Sequence, residues 1–315
     1  MNKNPRILKG YTIGIVLLFV GTGFIPSTAA SVPIIGESVT RSGNFFGLNS
    51  NIAISWNANV TEEPIVPRGE LRCVELSMMF WVTWGIFGRL INYLLQGQQI
   101  IMKLSVVDKP EWCTTTISQG TLSVTIPRFE NNYEIVHTYL TVMVDDNAPA
   151  FELFPVTIQA IIEPLHGPFG LIPVMQGTTE TVNVTFTVGY KPLLNFDLPE
   201  GNIIETPPLV QVQLPIGITN LGNGITIVEN EVVSYPDGWT VSLPPQLVLE
   251  VDEYKEINLS IIAPYAFTDE KSITMSFTPH SFDNYSLVGQ TTIVSVIAYY
   301  RPPKNEKEYT KLWII

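Results

Sequence analysis

Val210-Gln-Val212-Gln-Leu214-Pro-Ile216-Gly-Ile218-Thr-Asn220-Leu-Gly222-Asn223-Gly224 is the stretch on which the fold class turns. Its apolar residues fall on every second position, the period of a half-buried strand whose successive side chains point to opposite faces. The Asn/Gly cluster then predicts a tight loop, with glycines supplying the positive φ angles. Ile225 and Ile227 open the next strand. Downstream the same period recurs at Trp239, Val241 and Leu243, at Leu247, Leu249 and Val251, and at Ile257, Leu259 and Ile261. It returns at Ile273, Met275 and Phe277 and at Val294, Val296 and Ala298. About seven short strands in ~90 residues is the spacing of an immunoglobulin-like sandwich.

Upstream, the alternation is equally clear. Leu122–Ile126, Val136–Val144 and Val182–Val188 follow it, and Phe154, Val156, Ile158, Ala160 and Ile162 share one face. Such strands pack one sheet face inward and show the other to water. Leu76–Leu95 departs from the pattern, being almost continuously apolar apart from Arg89 and Asn92. A transmembrane helix here would place Arg89 in hydrocarbon at roughly 2.5–3.5 kcal/mol. That cost favours a buried strand near Val74–Trp84 running into a short amphipathic helix. The helix's apolar residues Ile86, Leu90, Ile91, Leu94 and Leu95 should lie on the sandwich, with Arg89, Asn92 and Gln96 turned away.

Residues 191–208 are proline-rich and aperiodic, which predicts a linker. The expected organisation is a signal segment (1–30), a first β-sandwich domain (31–190) and a linker (191–207). A second immunoglobulin-like β-sandwich domain (208–300) follows, then a tail or the start of an anchor (301–315). The fold class is all-β, a tandem of sandwiches with one short helix in the first.

At the N-terminus, Lys3, Arg6 and Lys9 precede an uncharged run from Tyr11 to Pro26, and Ser27-Thr28-Ala29-Ala30 offers a cleavage site before Ser31. This is the pattern of a secretory signal. An uncleaved anchor is the alternative, and either takes the rest of the chain across a membrane. Net charge is −12; removing the three basic residues of the first 30 leaves 14 Lys+Arg against 29 Asp+Glu, or −15. A balance so acidic argues against nucleic acid and against attraction to an anionic surface.

Cys73 and Cys113 form the only cysteine pair, and an exported chain can oxidise such a pair to a disulfide. Closing the ~40-residue loop would stabilise by about 4 kcal/mol. Sequons at Asn59, Asn183, Asn258 and Asn284 suit glycosylation of an exported protein.

Catalytic signatures are lacking: there is no His-Glu-x-x-His, Gly-x-Ser-x-Gly or phosphate loop among the 315 residues. The three histidines, His137, His166 and His280, share no metal-ligand spacing. His137 is expected on an outer strand face, His166 and His280 in turns. Asp145 and Asp146 are weak candidates for calcium, which needs 6–8 oxygens. Trp56, Tyr285, Tyr299 and Tyr300 could stack on sugars if exposed. No cofactor is expected.

The second domain resembles the immunoglobulin-like domain found beside some alpha-galactosidases and in archaeal and bacterial surface proteins. The resemblance rests on Thr219–Asn223, with Asn220, Gly222 and Asn223, and on Pro236–Val241, with Gly238 and Trp239. Leu247–Leu249 with Glu253, and Ile257–Ile261 ahead of Pro264, extend it. It covers under a third of the chain; more loosely, the whole is similar to archaeal envelope proteins. It implies an accessory or structural sandwich with no catalytic residue. The expected function is a non-enzymatic cell-surface or secreted structural or adhesion protein. The alternative is an accessory module binding glycans or proteins for an extracellular enzyme; a secreted hydrolase would need a cleft with His137 or His280 beside carboxylates. Expected partners are other envelope proteins, surface glycans, and a membrane reached through the signal segment or a C-terminal anchor.

Overall fold

A computed structural model describes residues 47–300 except 131, 168–172, 266 and 268; the expected signal segment (1–30) and the expected tail or anchor (301–315) lie outside the described residues. The first unit contains β1 (Leu48–Trp56), α1 (Ala58–Glu62), β2 (Arg72–Trp84), α2 (Gly88–Leu95), β3 (Gln99–Asp108), β4 (Cys113–Ile117) and β5 (Thr121–Thr125). It continues with β6 (Tyr133–Val144), β7 (Leu153–Ile162), β8 (Leu165–His166), β9 (Pro173–Gln176) and β10 (Thr178–Thr187). The sheet β4-β6-β2-β1-β9-β8 faces the sheet β10-β7-β3-β5. The second unit contains β11 (Leu194–Asp197), β12 (Ile203–Glu205), β13 (Gln211–Asn220), β14 (Thr226–Ser234) and β15 (Thr240–Ser242). β16 (Gln246–Leu249), β17 (Tyr254–Ile262), β18 (Lys271–Ser281) and β19 (Thr292–Tyr299) complete it. Its sheets run β11-β13-β17-β15 and β12-β19-β18-β14-β16. The molecule is thus an all-β tandem of immunoglobulin-like sandwiches.

Period-two patterning does what it should. Phe154, Val156, Ile158, Ala160 and Ile162 are all buried, as are Leu214, Ile216 and Ile218. Two separate apolar cores result, one per unit. Trp239 lies in the second, edge-on to Phe267 with ring centroids 4.8 Å apart. Gly238 turns the chain into it at φ +80°, a region that favours glycine. The segment Leu76–Leu95 is a strand followed by a helix, β2 and α2.

Several expectations fail. The 191–207 stretch is no linker, because β11 pairs antiparallel with β13 and β12 pairs parallel with β19. Edge strands of four and three residues are too short to show a period between prolines. The Cys73–Cys113 disulfide is absent, and both thiols are free. β2 and β4 flank β6 in one sheet, so the strands lie ~9.6 Å apart at the usual ~4.8 Å spacing, beyond the ~7 Å Cα reach of a disulfide. Moreover Cys113 points into the core while Cys73 points out. In β14 the inward positions are Thr226, Val228 and Asn230, not the isoleucines; Tyr190 binds Thr226 and the Pro244 carbonyl binds Asn230.

The loop 220–224 has a different role from the one its composition suggested. Neither Gly222 nor Gly224 has positive φ. A Cβ at Gly222 would lie 2.6 Å from the Lys191 carbonyl oxygen, and one at Gly224 would lie 2.9 Å from the Ala150 Cβ. Gly224 admits the first unit, and Gly222 admits the connecting backbone at Lys191. Asn220, fully buried, donates to the carbonyls of Gly224 and Glu250 and accepts from the Gly222 N–H. Asn223 donates to the carbonyls of Ala148 at 3.1 Å and Gly189 at 2.9 Å, and accepts from the Lys191 N–H at 2.7 Å. The Ala150 N–H donates to the Asn223 carbonyl, and Tyr190 Oη shares a hydrogen bond with Thr226. Phe151, held at φ 64° by its N–H bond to the Val188 carbonyl, stacks on Tyr190. The two sandwiches therefore meet through buried polar groups that satisfy one another.

The joint caps the end of the first unit where β6 and β10 finish; β6 starts at the opposite end, beside Trp81. Its 12 residues put these ends ~40 Å apart at ~3.4 Å per residue. In the second unit Thr226, beside the joint, pairs with Ser281, whereas Ala298 pairs with Lys271. The described chain therefore enters at one extreme of the tandem and leaves at the other.

Asn223→Ala strands three backbone partners, so we expect a loss of about 2 kcal/mol. Calorimetry should then resolve two transitions where the parent gives one. Glu180 on β10 is 4% exposed, its Oε1 lacks a partner, and burial raises its pKa above the ordinary carboxylate value. The folded state thus binds the proton more tightly than the unfolded one, and this site loses stability as pH rises from the ordinary carboxylate value through the raised one. Glu180→Gln should raise stability at neutral pH by on the order of 1 kcal/mol and flatten that slope in pH-dependent melts. Thiol titration of the native protein should count one reactive group, Cys73. The Cys113 thiol, pushed up to about 11 by burial, should react only on unfolding.

Candidate functional site

The end of the first unit remote from the joint carries the most unusual surface. β2 stops at Trp84, whose N–H donates to the Glu130 carboxylate at 2.9 Å. The Gly85 N–H donates to the Gly47 carbonyl at 2.7 Å, fixing where the chain enters. α2 begins at Gly88, where a Cβ would lie 2.5 Å from the Trp84 Cβ; only glycine lets the helix start so close to the strand.

α2 is turned over relative to the sequence expectation. Asn92, 2% exposed, faces inward and donates to the carbonyls of Pro127 at 3.2 Å and Arg128 at 2.9 Å. A leucine there could not supply those donors, and a buried carbonyl left unpaired costs about 1–3 kcal/mol. Ile91 and Leu95 reach the core only in part. Leu90, Tyr93 and Leu94 face outward with Ile86 before them, each more than 60% exposed. Phe129 adds a further exposed ring, with the Arg128 guanidinium 5.4 Å above it.

Between helix and loop lies an open recess of about 660 Å³ lined by Trp84, Leu90, Tyr93, Arg128 and Phe129 among others. A second, of about 500 Å³, adjoins it through Gln96 and Arg128. The neighbouring carboxylates are occupied: Glu130 binds the Trp84 N–H, and Glu134 binds the Thr125 N–H. The exposed charges are the guanidinium groups of Arg89 and Arg128 and the carboxylate of Glu130. This tip is an aromatic-aliphatic face with two cations and one exposed carboxylate. Sequence reasoning identified the apolar stripe but assigned it to the interior; the polar partner that inverts the helix, Asn92, was visible only as a break in the run.

The other sequence candidates are dispersed. His137 sits on an exposed strand face, as expected, with Glu75 Oε1 at 3.0 Å and Ser77 Oγ at 3.1 Å. Both partners meet the same ring nitrogen, Nδ1, whereas a relay needs nucleophile and acid on opposite nitrogens. His280 is not in a turn but within β18, 8% exposed, stacked on Tyr285 at 4.3 Å. Its Nε2 lies 3.4 Å from Glu229, which also accepts from the Tyr285 hydroxyl, and that hydrogen bond raises the Tyr285 pKa. His166 is exposed on β8.

Asp146 is not free for calcium. Lys191 at 2.8 Å and Arg68 at 3.2 Å hold it, and the Lys191 hydrogen bond lowers its pKa first. No group of three metal-ligating side chains occurs among the described residues. Trp56 is buried in the first unit, while Tyr285 and Tyr300 belong to the second, so the proposed sugar-stacking aromatics form no common platform. The sequon residues Asn59, Asn183, Asn258 and Asn284 are all exposed, and none lies at the tip. Among the described residues no helix is long and apolar enough to cross a membrane.

No protein-family model matches the chain. No curated protein matches it either. Solved structures of similar architecture include the ASH/PapD-like domain of human CEP192, with 10% identity, 34% of this chain and 84% of that one covered, and a TM-score of 0.28. The enterotoxigenic Escherichia coli adhesin CfaE has 9% identity, with 88% and 85% covered and a TM-score of 0.27. The E. coli chaperone DraB has 7% identity, with 79% and 97% covered and a TM-score of 0.24. Likenesses this distant carry no argument about what the chain binds.

Proposed function

We propose that the chain is a non-enzymatic structural or adhesion protein of the cell surface, two immunoglobulin-like modules acting as one stiff spacer. The observation that carries this reading is the joint. Asn223 and Gly224 are buried against the first unit, and the two ends of the described chain lie at opposite extremes of the tandem. A fixed joint of that kind holds distance and direction, which a spacer needs and an isolated binding domain does not. The histidine sites support the same reading, since neither His137 nor His280 stands in a relay with a nucleophile. Export, through residues 1–30, is part of the proposal.

A second reading, an accessory module capturing a protein or glycan, draws on the exposed tip around Leu90 and Tyr93. It differs from the first in placing the function at one end instead of in the span.

A nitroxide on the native Cys73 thiol and a second at Glu256→Cys should give one narrow dipolar distance. A broad distribution would describe beads on a string and remove the spacer. External protease on intact cells should digest the chain, and intact mass should show whether it begins at Ser31. A protected, cytoplasmic chain beginning at Met1 would defeat the surface assignment.

A further inference from the structure

We propose that the tip formed by Ile86, Leu90, Tyr93, Leu94 and Phe129, with Arg89 and Arg128, rests in the headgroup interface of a lipid bilayer. This goes beyond the spacer reading, because it says which end of the tandem faces the membrane.

The side-chain chemistry supports it first. Soluble helices hide their leucines, and α2 instead hides Asn92 and displays Leu90, Tyr93 and Leu94 along one stripe. Leucine and aromatic side chains at the acyl boundary, with arginines snorkelling to phosphates, are the pattern of an in-plane interfacial helix. The charges agree. The chain as a whole is acidic, at −12, yet the tip carries two exposed guanidinium groups, Arg89 and Arg128, against one exposed carboxylate, Glu130, with Glu134 half-buried and bound to the Thr125 N–H. Lipid phosphates complement the two exposed guanidinium groups.

Connectivity selects the same occupant. The Gly47 carbonyl is hydrogen-bonded to the Gly85 N–H, so the N-terminal 46 residues join the fold beside the tip. The uncharged apolar run ends at Pro26, and the twenty residues 27–46 can span at most ~70 Å. A membrane-embedded run would therefore be tethered to the described fold at the tip end. The sequon residues stand clear of the tip, which leaves it bare of any sugar.

The occupant also orders the two anchoring readings. An N-terminal tether attaches at the tip and, with the tip seated in the bilayer, projects the second sandwich outward. A C-terminal anchor would point the tip away from its own membrane.

The test uses the full chain reconstituted into phosphatidylcholine vesicles with and without phosphatidylglycerol. A nitroxide is placed at Tyr93→Cys, and separately at Glu256→Cys, each with Cys73→Ser; Cys113 is buried and its thiol pKa is raised by that burial. The Tyr93 label should become several-fold less accessible to a water-soluble nickel reagent and more accessible to oxygen, while the Glu256 label stays in water. Adding Leu90→Asp and Leu94→Asp should return the Tyr93 label to water even with the N-terminal run still embedded. Arg89→Glu with Arg128→Glu should weaken the effect most on phosphatidylglycerol vesicles. Equal nickel accessibility at both labels would overturn the proposal. So would protection of the Tyr93 label without vesicles accompanied by a label-to-label dipolar signal, which would assign the face to a second copy. Either failure leaves the spacer reading standing, because that rests on the Cys73–Glu256 distance.

Discussion

Everything about how this molecule presents itself depends on one buried side-chain amide. Asn223 spends both N–H groups on carbonyls of the first sandwich and its oxygen on the Lys191 N–H, at the point where the chain passes between the units. Two sandwiches joined only by a polypeptide would tumble independently, the default for domains with small polar contacts. Here the polar groups are satisfied across the boundary, and leaving any of them unpaired would carry the desolvation cost of a buried donor or acceptor. Gly222 and Gly224 make the approach sterically feasible, and Tyr190 with Phe151 closes it. The direction of the tip is a consequence of that arrangement.

Much of the fold was legible because burial on one sheet face writes itself into the chain every second residue. Val210–Ile218 and Phe154–Ile162 needed no context to be identified as strands, and β2 with α2 emerged from the charge cost of Arg89. What was missed falls where the period is too short or where chemistry is decided by distant partners. β11 and β12 are edge strands of a few residues among prolines, and their identity comes from β13 and β19. Cys73 and Cys113 were paired on compartment alone, while faces and strand order set their geometry.

The candidate site was half legible. Helical spacing located Ile86, Leu90 and Leu94 correctly on one stripe, but a stripe does not say which way it faces. That depended on two carbonyls after β5 for which Asn92 supplies donors, a contact 35 residues away in sequence. The Asn220–Gly224 cluster shows the same limit. Its composition signalled a turn, yet its glycines serve space instead of backbone angle, and the neighbours that need the space are the connecting backbone at Lys191 and, for Gly224, the other sandwich. Local chemistry was read correctly and its addressee was not.

Entry at the tip and exit at the far end also fix how the molecule would carry load. A pull between its ends runs along β1, which is paired with β2 over its full length from Leu48 to Trp56. Antiparallel ladder bonds lie perpendicular to the strands, so that tension shears the whole ladder together instead of unzipping it rung by rung. At the other end the force leaves through β19, held by β18 on one side and β12 on the other. Resistance to forced unfolding is set by the rate of crossing that barrier and not by equilibrium stability. Such a chain would be mechanically tough along its axis, whatever its equilibrium stability.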